Sequence, residues 1–149
     1  MSESVWDYPR PPRVERCPRR IRVVLGDATI ADSTRTHRVL ETSHPPVYYV
    51  PLADVATGAL EASSGGTTFC EWKGIASYYD VSAGRQTIER GAWTYHDPVA
   101  GFEAIRDAVA FYPMHMDACY VDDELVAAQA GGFYGGWITS DVVGPFTGR

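Results

Sequence analysis

The segment Thr67 to Tyr79, TTFCEWKGIASYY, gathers the residue types with the most chemistry to offer in this chain. It holds Cys70, one of three cysteines; Lys73, the only lysine; Trp72; and the pair Tyr78-Tyr79. Every other basic side chain is Arg or His, so a single Lys among aromatic residues reads as a chosen amine rather than solubilising charge. A thiol beside an ammonium becomes the better nucleophile, because the cation favours the thiolate, whereas apolar burial raises the thiol and depresses the amine. The pair could serve as nucleophile and acid or as a grip for an anion. The plainer alternative is that Cys70 is a small buried residue and that Lys73 pairs with Glu41 or Glu71.

Glu41 is the carboxylate candidate. It ends a strand just before Ser43-His44-Pro45-Pro46, where it could accept a proton, orient Lys73 or bind a ligand hydroxyl or amine; equally, it could cap the turn with Thr42-Ser43. His44 titrates near neutrality and is followed by a double proline, although most such histidines are simply exposed. Tyr49, Tyr79, Trp93, Tyr95 and Tyr112 are an aromatic set on strands. They belong to a β core, or they converge with Lys73 and Glu41 as an amphipathic cup for a small polar molecule. His115, Asp117 and Cys119 lie close in sequence, but with only Cys70 and scattered histidines to help, no metal site is expected.

Other chemistry lacks its signature. There is no GxxxxGK[ST] loop, no GxGxxG opening a helix, no HExxH and no GxSxG elbow, and no cofactor is expected. Cys17, Cys70 and Cys119 are widely spaced without a CxxC pair, which suits neither a disulfide framework nor a tetrahedral zinc site.

These residues must be positioned by one ordinary domain, since 149 residues with 45% hydrophobic content suffice for a single core. No apolar run approaches the roughly 20 residues that span a bilayer, and MSESVWDYPRPP has no signal-peptide pattern, so a cytoplasmic protein is expected. Residues 1–38 carry eight Arg against five acids, and the remainder five basic groups against fourteen acids, +3 and −9 for a net −6. An acidic body argues against nucleic acid as a partner. The basic arm is expected to dock on its own acidic body or on a sister subunit, the latter making a homodimer.

The expected organisation is an extended Pro/Arg-rich arm over residues 1–19, a β domain over 20–128 and a Gly-rich, mostly irregular tail over 129–149. Four prolines between Pro9 and Pro18 exclude helix in the arm, and Trp6 and Tyr8 pin it to the domain. Strands are expected at 21–25, 28–31, 37–41, 47–50, 74–81, 86–90, 92–95, 109–112, 118–121 and 124–126, joined by turns such as Gly26-Asp27 and Asp122-Asp123. Short helices are expected at 51–60 and 99–107. The sum is a mainly β, antiparallel domain with one or two short helices.

The blocks RVVLGDATIADS, VLETSHPPVYYVP, TTFCEWKGIASYY, AWTYHDP and VAFYPMHMDACYVDDE, spread over residues 20–126, resemble the DUF427 family in order and spacing. That family consists of small bacterial and fungal proteins without an established activity, sometimes labelled nucleotidyltransferase-like. The label finds no support here, because no pair of metal-binding aspartates follows a Gly-Ser turn and Asp122-Asp123 suits a hairpin. The resemblance implies an all-β fold of the two-sheet β-tent (Mss4-like) type. Relatives of that type commonly hold zinc with Cys-Pro-x-Cys-Gly knuckles, and DUF427 members typically show Cys-Pro-x-Lys-Gly. This chain has Cys70-Glu71-Trp72-Lys73-Gly74, with Lys at the second ligand position and Glu71 in place of proline. A tight turn there would point Cys70 and Lys73 the same way; a straight strand would oppose them.

Two function classes follow. One is a small-molecule pocket centred on Lys73, Cys70 and Glu41, with Tyr49, Tyr79, Trp93, Tyr112 and His44 around the ligand, in which chemistry can occur. The other is a non-catalytic β-tent binding module in which Cys70 and Lys73 are structural.

Overall fold

The computed structural model describes residues 2–131 and 134–147; Met1, and residues 132–133 and 148–149 of the expected tail, lie outside the described residues. β1 (Glu3–Ser4) leads through a 3-10 turn at Val5–Asp7 to β2 (Arg13–Cys17), which occupies the proline-free window between Pro12 and Pro18. β3 (Ile21–Leu25) and β4 (Ala28–Ser33) form a hairpin about Gly26-Asp27. β5 (Thr36–Leu40) and β6 (Val47–Tyr49) flank the Ser43-His44-Pro45-Pro46 corner and pair with each other. Then come β7 (Leu60–Ala62), β8 (Thr68–Cys70), β9 (Gly74–Ala83) and β10 (Gln86–Thr94), followed by β11 (Val109–Phe111) and β12 (Ala118–Val121). The short β13 (Glu124–Leu125), β14 (Ala127–Ala128), β15 (Trp137–Ile138) and β16 (Val142–Val143) complete the chain.

The strands assemble into sheets ordered β13-β12-β3-β4, β2-β5-β6 and β11-β10-β9-β7, with β8 also on β9. Every named pairing is antiparallel except β1 with β16, so the fold is mainly β as expected. A bridge between Val50 and Val109, with amide-to-carbonyl bonds of 2.8 Å in both directions, joins the β6 end of one sheet to the β11 edge of another. No helix of the described residues is long and apolar enough to cross a membrane.

Period-two alternation divides the β9-β10-β11 sheet between two cores. Val81, Ala92, Val109 and Phe111 face a larger core with Ile21, Val23, Leu25, Tyr48 and Trp137. Ala76, Trp93, Tyr95 and Ala110 face a smaller, aromatic one with Val39, Tyr49, Phe102 and Ile105. Each fully buried aliphatic or Phe side chain contributes about 1.5–3 kcal/mol, so the larger core carries most of the stability.

Several local expectations need correction. The helices expected at 51–60 and 99–107 are only 3-10 turns, Leu52–Asp54 and Glu103–Ile105. In the first, Val55 bridges Ala31 and the Ala56 N–H donates to Ile30; in the second, Arg106 bridges Tyr95 and the Asp107 N–H donates to Tyr95. Pairing with neighbouring strands outweighs local helical spacing in both. The strands expected at 86–90 and 92–95 are one strand, β10, with a register irregularity between Ile88 and Ala92 where Arg90 takes φ 52° and donates its N–H to Asp80. The arm contains a strand, because β2 pairs along its whole length with β5. Tyr8 is buried, whereas Trp6 remains 54% exposed, with its indole N–H donating to the Pro145 carbonyl.

Ion pairs of both directions tie the arm to the rest of the chain, its Arg10 and Arg19 to acids of the body and its own Glu3 and Glu15 to Arg38 of β5. Arg19 reaches Asp122 and Asp141, Arg20 reaches Asp32, and Arg38 binds both Glu15 and Glu3 while the Tyr8 hydroxyl donates to Glu3. Burial pushes the Glu3 carboxyl up, but the Arg38 and Tyr8 hydrogen bonds outweigh it and hold the group below its ordinary value. A carboxyl depressed in the fold contributes stability that is fully present above its unfolded pKa, near 4.3, and is lost as pH falls through the lower folded value. Arg38→Met is expected to cost about 1–2 kcal/mol at pH 7, between the surface and buried-pair limits because Glu3 stays partly hydrated. Urea unfolding should show that deficit shrinking at pH 3; a deficit independent of pH would mean that Arg38 acts through packing alone.

Candidate functional site

A cavity of about 540 Å³ opens on the aromatic side of the β9-β10-β11 sheet. Its floor is Tyr49 from β6, Trp93 from β10 and Tyr95, the residue that follows β10. The Trp93 indole N–H donates to the Tyr49 hydroxyl at 3.3 Å, and the two rings meet edge to face at 6.3 Å. Tyr112 packs on Trp93 with ring centroids 4.5 Å apart. Burial is the first cause holding the hydroxyls of Tyr49, Tyr95 and Tyr112 above the ordinary tyrosine range, so all three remain protonated hydrogen-bonding groups at neutral pH.

The β8-β9 hairpin is one wall. Cys70 pairs with Gly74 across a tight turn at Glu71-Trp72-Lys73, and Gly74 takes φ 110°, which a side chain would strain. The Val99 N–H donates to the Lys73 carbonyl at 2.8 Å and fixes the turn from outside. The turn thus forms with Glu71 in it, and both Cys70 and Lys73 line the same cavity. Lys73 is only 9% exposed, and its ammonium sits 5.9 Å from the centre of the Tyr95 ring, within cation–π range. Among the described residues it has no carboxylate within 4 Å and no side-chain hydrogen bond; Glu41 instead lies 3.9 Å from Arg10.

Glu41 and His44, from the corner after β5, also line the cavity, with the His44 N–H bonded to the Glu41 carbonyl. Burial, first, and the charges of Arg10 and Lys73 hold the His44 imidazole below its usual value against the pull of Glu41. Tyr78 completes the hairpin wall: its hydroxyl meets Thr68 Oγ1 at 2.7 Å, and the Arg90 guanidinium stacks 3.8 Å over its ring while donating to the Gly66 carbonyl. The last wall comes from the C-terminal segment through Gln129, Tyr134 and Gly135. A Cβ at Gly135 would fall 2.3 Å from the Trp93 ring, so only glycine lets this backbone lie on the indole.

Seven of the eight residues singled out from the sequence therefore surround one cavity: Lys73, Cys70, Glu41, His44, Tyr49, Trp93 and Tyr112. Tyr79 does not. Alternation from the buried Ala76 turns Tyr78 inward and Tyr79 to the other face, where it packs on the larger core and meets His96 edge to face. Gln129 and Tyr134 were missed because nothing in a glycine-rich tail announces where it will return. His115, Asp117 and Cys119 do not form a cluster: Asp117 accepts the Gly26 N–H, and burial pushes the Cys119 thiol up to about 12.

Cys17 and Cys119 are buried, and Cys70 is the one partly exposed thiol. A thiol reagent is expected to titrate one cysteine rapidly in the folded protein and three after denaturation, with mass mapping placing the first adduct on Cys70. Rapid modification of two or more would contradict this account of the cores.

No curated protein matches this chain. A family model described as a domain of unknown function, DUF427, matches residues 13–122, from the first residue of β2 to the end of the β12 hairpin strand and including the Cys70–Gly74 turn. With most of its length matched in this way, the chain belongs to the DUF427 family.

Proposed function

We propose that the protein binds a small anionic metabolite in this cavity, with Lys73 as the anchor for the anion and the Tyr49-Trp93-Tyr95 floor receiving its apolar body. The observation that carries the reading is Lys73, a largely buried side chain whose ammonium reaches the open volume and has no carboxylate partner among the described residues. A charge partly withdrawn from water gains from a counter-charge, and an anionic ligand supplies what the fold leaves out. The volume suits a compact metabolite, and a mostly aromatic wall with a few polar groups is the usual make-up of such sites.

In this reading Cys70 and Glu41 are the reactive groups within reach of the ligand. The thiol is the nucleophile, Lys73 holds the anionic group of the ligand, and Glu41 is the acid or base. What supports a chemical role is their placement in one cavity; binding alone needs only Lys73 and the aromatic floor.

The test is a thermal-shift screen of wild type and Lys73→Met against carboxylates, phosphates, sugars, aldehydes and nucleotides. A ligand at a hundred times its dissociation constant adds about 2.7 kcal/mol, read as a clear rise in Tm. The expected result is anionic hits that vanish in Lys73→Met and that slow alkylation of Cys70 in wild type. Hits restricted to neutral compounds, or retained in full by Lys73→Met, would overturn the assignment of Lys73.

A further inference from the structure

Gln129, from the segment beyond the family match, is almost fully buried, and its side chain makes three polar contacts. Its Oε1 accepts the Gly136 N–H at 3.1 Å, which fixes the orientation of the amide, because an N–H has to meet the oxygen. The Nε2 group is thereby turned the other way, where it donates to the Thr147 carbonyl at 2.5 Å and faces His44 Nδ1 at 3.4 Å. An amide NH₂ only donates. His44 Nδ1 must therefore be the acceptor, and in a neutral imidazole the proton then resides on Nε2.

His44 Nε2 has no hydrogen-bond partner among the described residues, yet it is not one of the buried unpaired polar atoms. It therefore reaches solvent, and the space bordering this side chain is the cavity. The charged and titratable groups about the ring are Glu41 from the same corner, Arg10 from the N-terminal segment and Lys73 from the hairpin, with the Tyr134 ring 5.0 Å away. Burial and the two cations oppose protonation, Glu41 favours it, and the net direction is toward the neutral ring.

We infer that Gln129 is a positioning residue that locks His44 as its Nε2–H tautomer and so gives the cavity a further oriented hydrogen-bond donor besides Lys73. The inference rests on the cavity being a ligand site, and it deepens that reading. The ligand carries an anionic group for Lys73 and also an acceptor oxygen such as a carbonyl or hydroxyl for His44. Since the lock comes from outside the matched residues, it is a feature by which this chain can select among the anions that a Lys73-type pocket admits.

The experiment is ¹⁵N NMR of protein labelled at histidine, run at neutral pH without ligand, with the His44 signals assigned by their loss in His44→Gln. Wild type is expected to show His44 with a protonated Nε2 and an unprotonated Nδ1, as two well-separated ring-nitrogen signals. Gln129→Leu removes the donor, so the two signals should move toward each other as tautomers mix. Gln129→Glu places an acceptor opposite Nδ1, so the proton should move to Nδ1 or the ring should become cationic. A wild-type His44 protonated at Nδ1, mixed or cationic would overturn the inference, as would an unchanged pattern in a folded Gln129→Leu. Should neither variant fold, the wild-type tautomer alone decides. Because no ligand is used, an Nε2–H tautomer with no anionic hits in the thermal screen would retain the lock and discard the ligand reading.

Discussion

Trp137→Ala should lower the stability of this protein by about 3–5 kcal/mol, the cost of emptying a well-packed aromatic site. Trp137 is 1% exposed and lies in the larger core although it comes from the glycine-rich C-terminal segment. Its ring packs on Tyr48 at 5.2 Å, its indole N–H donates to the Phe111 carbonyl at 3.2 Å, and its backbone N–H donates to Pro46 at 2.8 Å. Truncation leaves a cavity and also strips a hydrogen bond from the Phe111 carbonyl. At 2–4 °C per kcal/mol for a domain of this size, the melting temperature should fall by roughly 6–20 °C, measured by circular dichroism. Trp137→Phe keeps most of the apolar area and loses the indole N–H, so it should fall by only about 1–2 kcal/mol. A Trp137→Ala variant melting within a degree or two of wild type would show that the tail merely covers the core.

The same residue marks where the sequence stopped being informative. β3, β4, β9, β11 and β12 have apolar alternation between turn signals, and their positions follow from local pattern. The tail has glycines, short polar runs and one Trp. What makes it a wall of the cavity and a piece of the core is a set of long-range contacts, including Trp137 on Pro46, Gln129 on Thr147 and Gly135 on Trp93. None of these contacts has a local signature. The two absent helices fail because Val55 is held in a bridge to Ala31 of β4 and Arg106 in a bridge to Tyr95 just after β10, contacts that helical spacing does not register. β2 was legible in principle: RVERC is free of proline, but the four prolines around it dominated the composition of the arm.

The site was more legible than the tail because residue type, rather than conformation, drew attention to it. A sole lysine, a thiol three residues before it and tyrosines on strands were visible without any contact map. Tyr79 was placed on the wrong face for want of one anchor: a tyrosine pair always splits across a sheet, and only knowing that Ala76 is buried on the cavity side decides which member faces in. The pairing partners suggested for Lys73, Glu41 and Glu71, are likewise not its ion-pair partners in the fold, and that absence changes what its removal should do.

Lys73→Met is expected to have two effects of opposite sign. Methionine matches the length and most of the volume of the lysine stem, and it removes the charge of a largely buried side chain beside Tyr95 that has no carboxylate partner among the described residues. Replacing a poorly compensated buried charge with a fitted apolar side chain is neutral to stabilising, so the melting temperature should stay level or rise by roughly 2–4 °C, a gain of up to about 1 kcal/mol. The same change deletes a charge-assisted hydrogen bond of about 1.5–3 kcal/mol to the ligand's anion, so affinity should fall by roughly 10- to 150-fold in calorimetric titration with a hit from the screen. A site that binds at the expense of the fold's own stability gives this pattern, whereas a residue that holds the hairpin together would give a loss in both measurements. An early-melting Lys73→Met, by 5 °C or more, together with a wild-type protein silent to every anion in the panel, would make Lys73 a structural element of the turn and the cavity an unoccupied consequence of its aromatic packing.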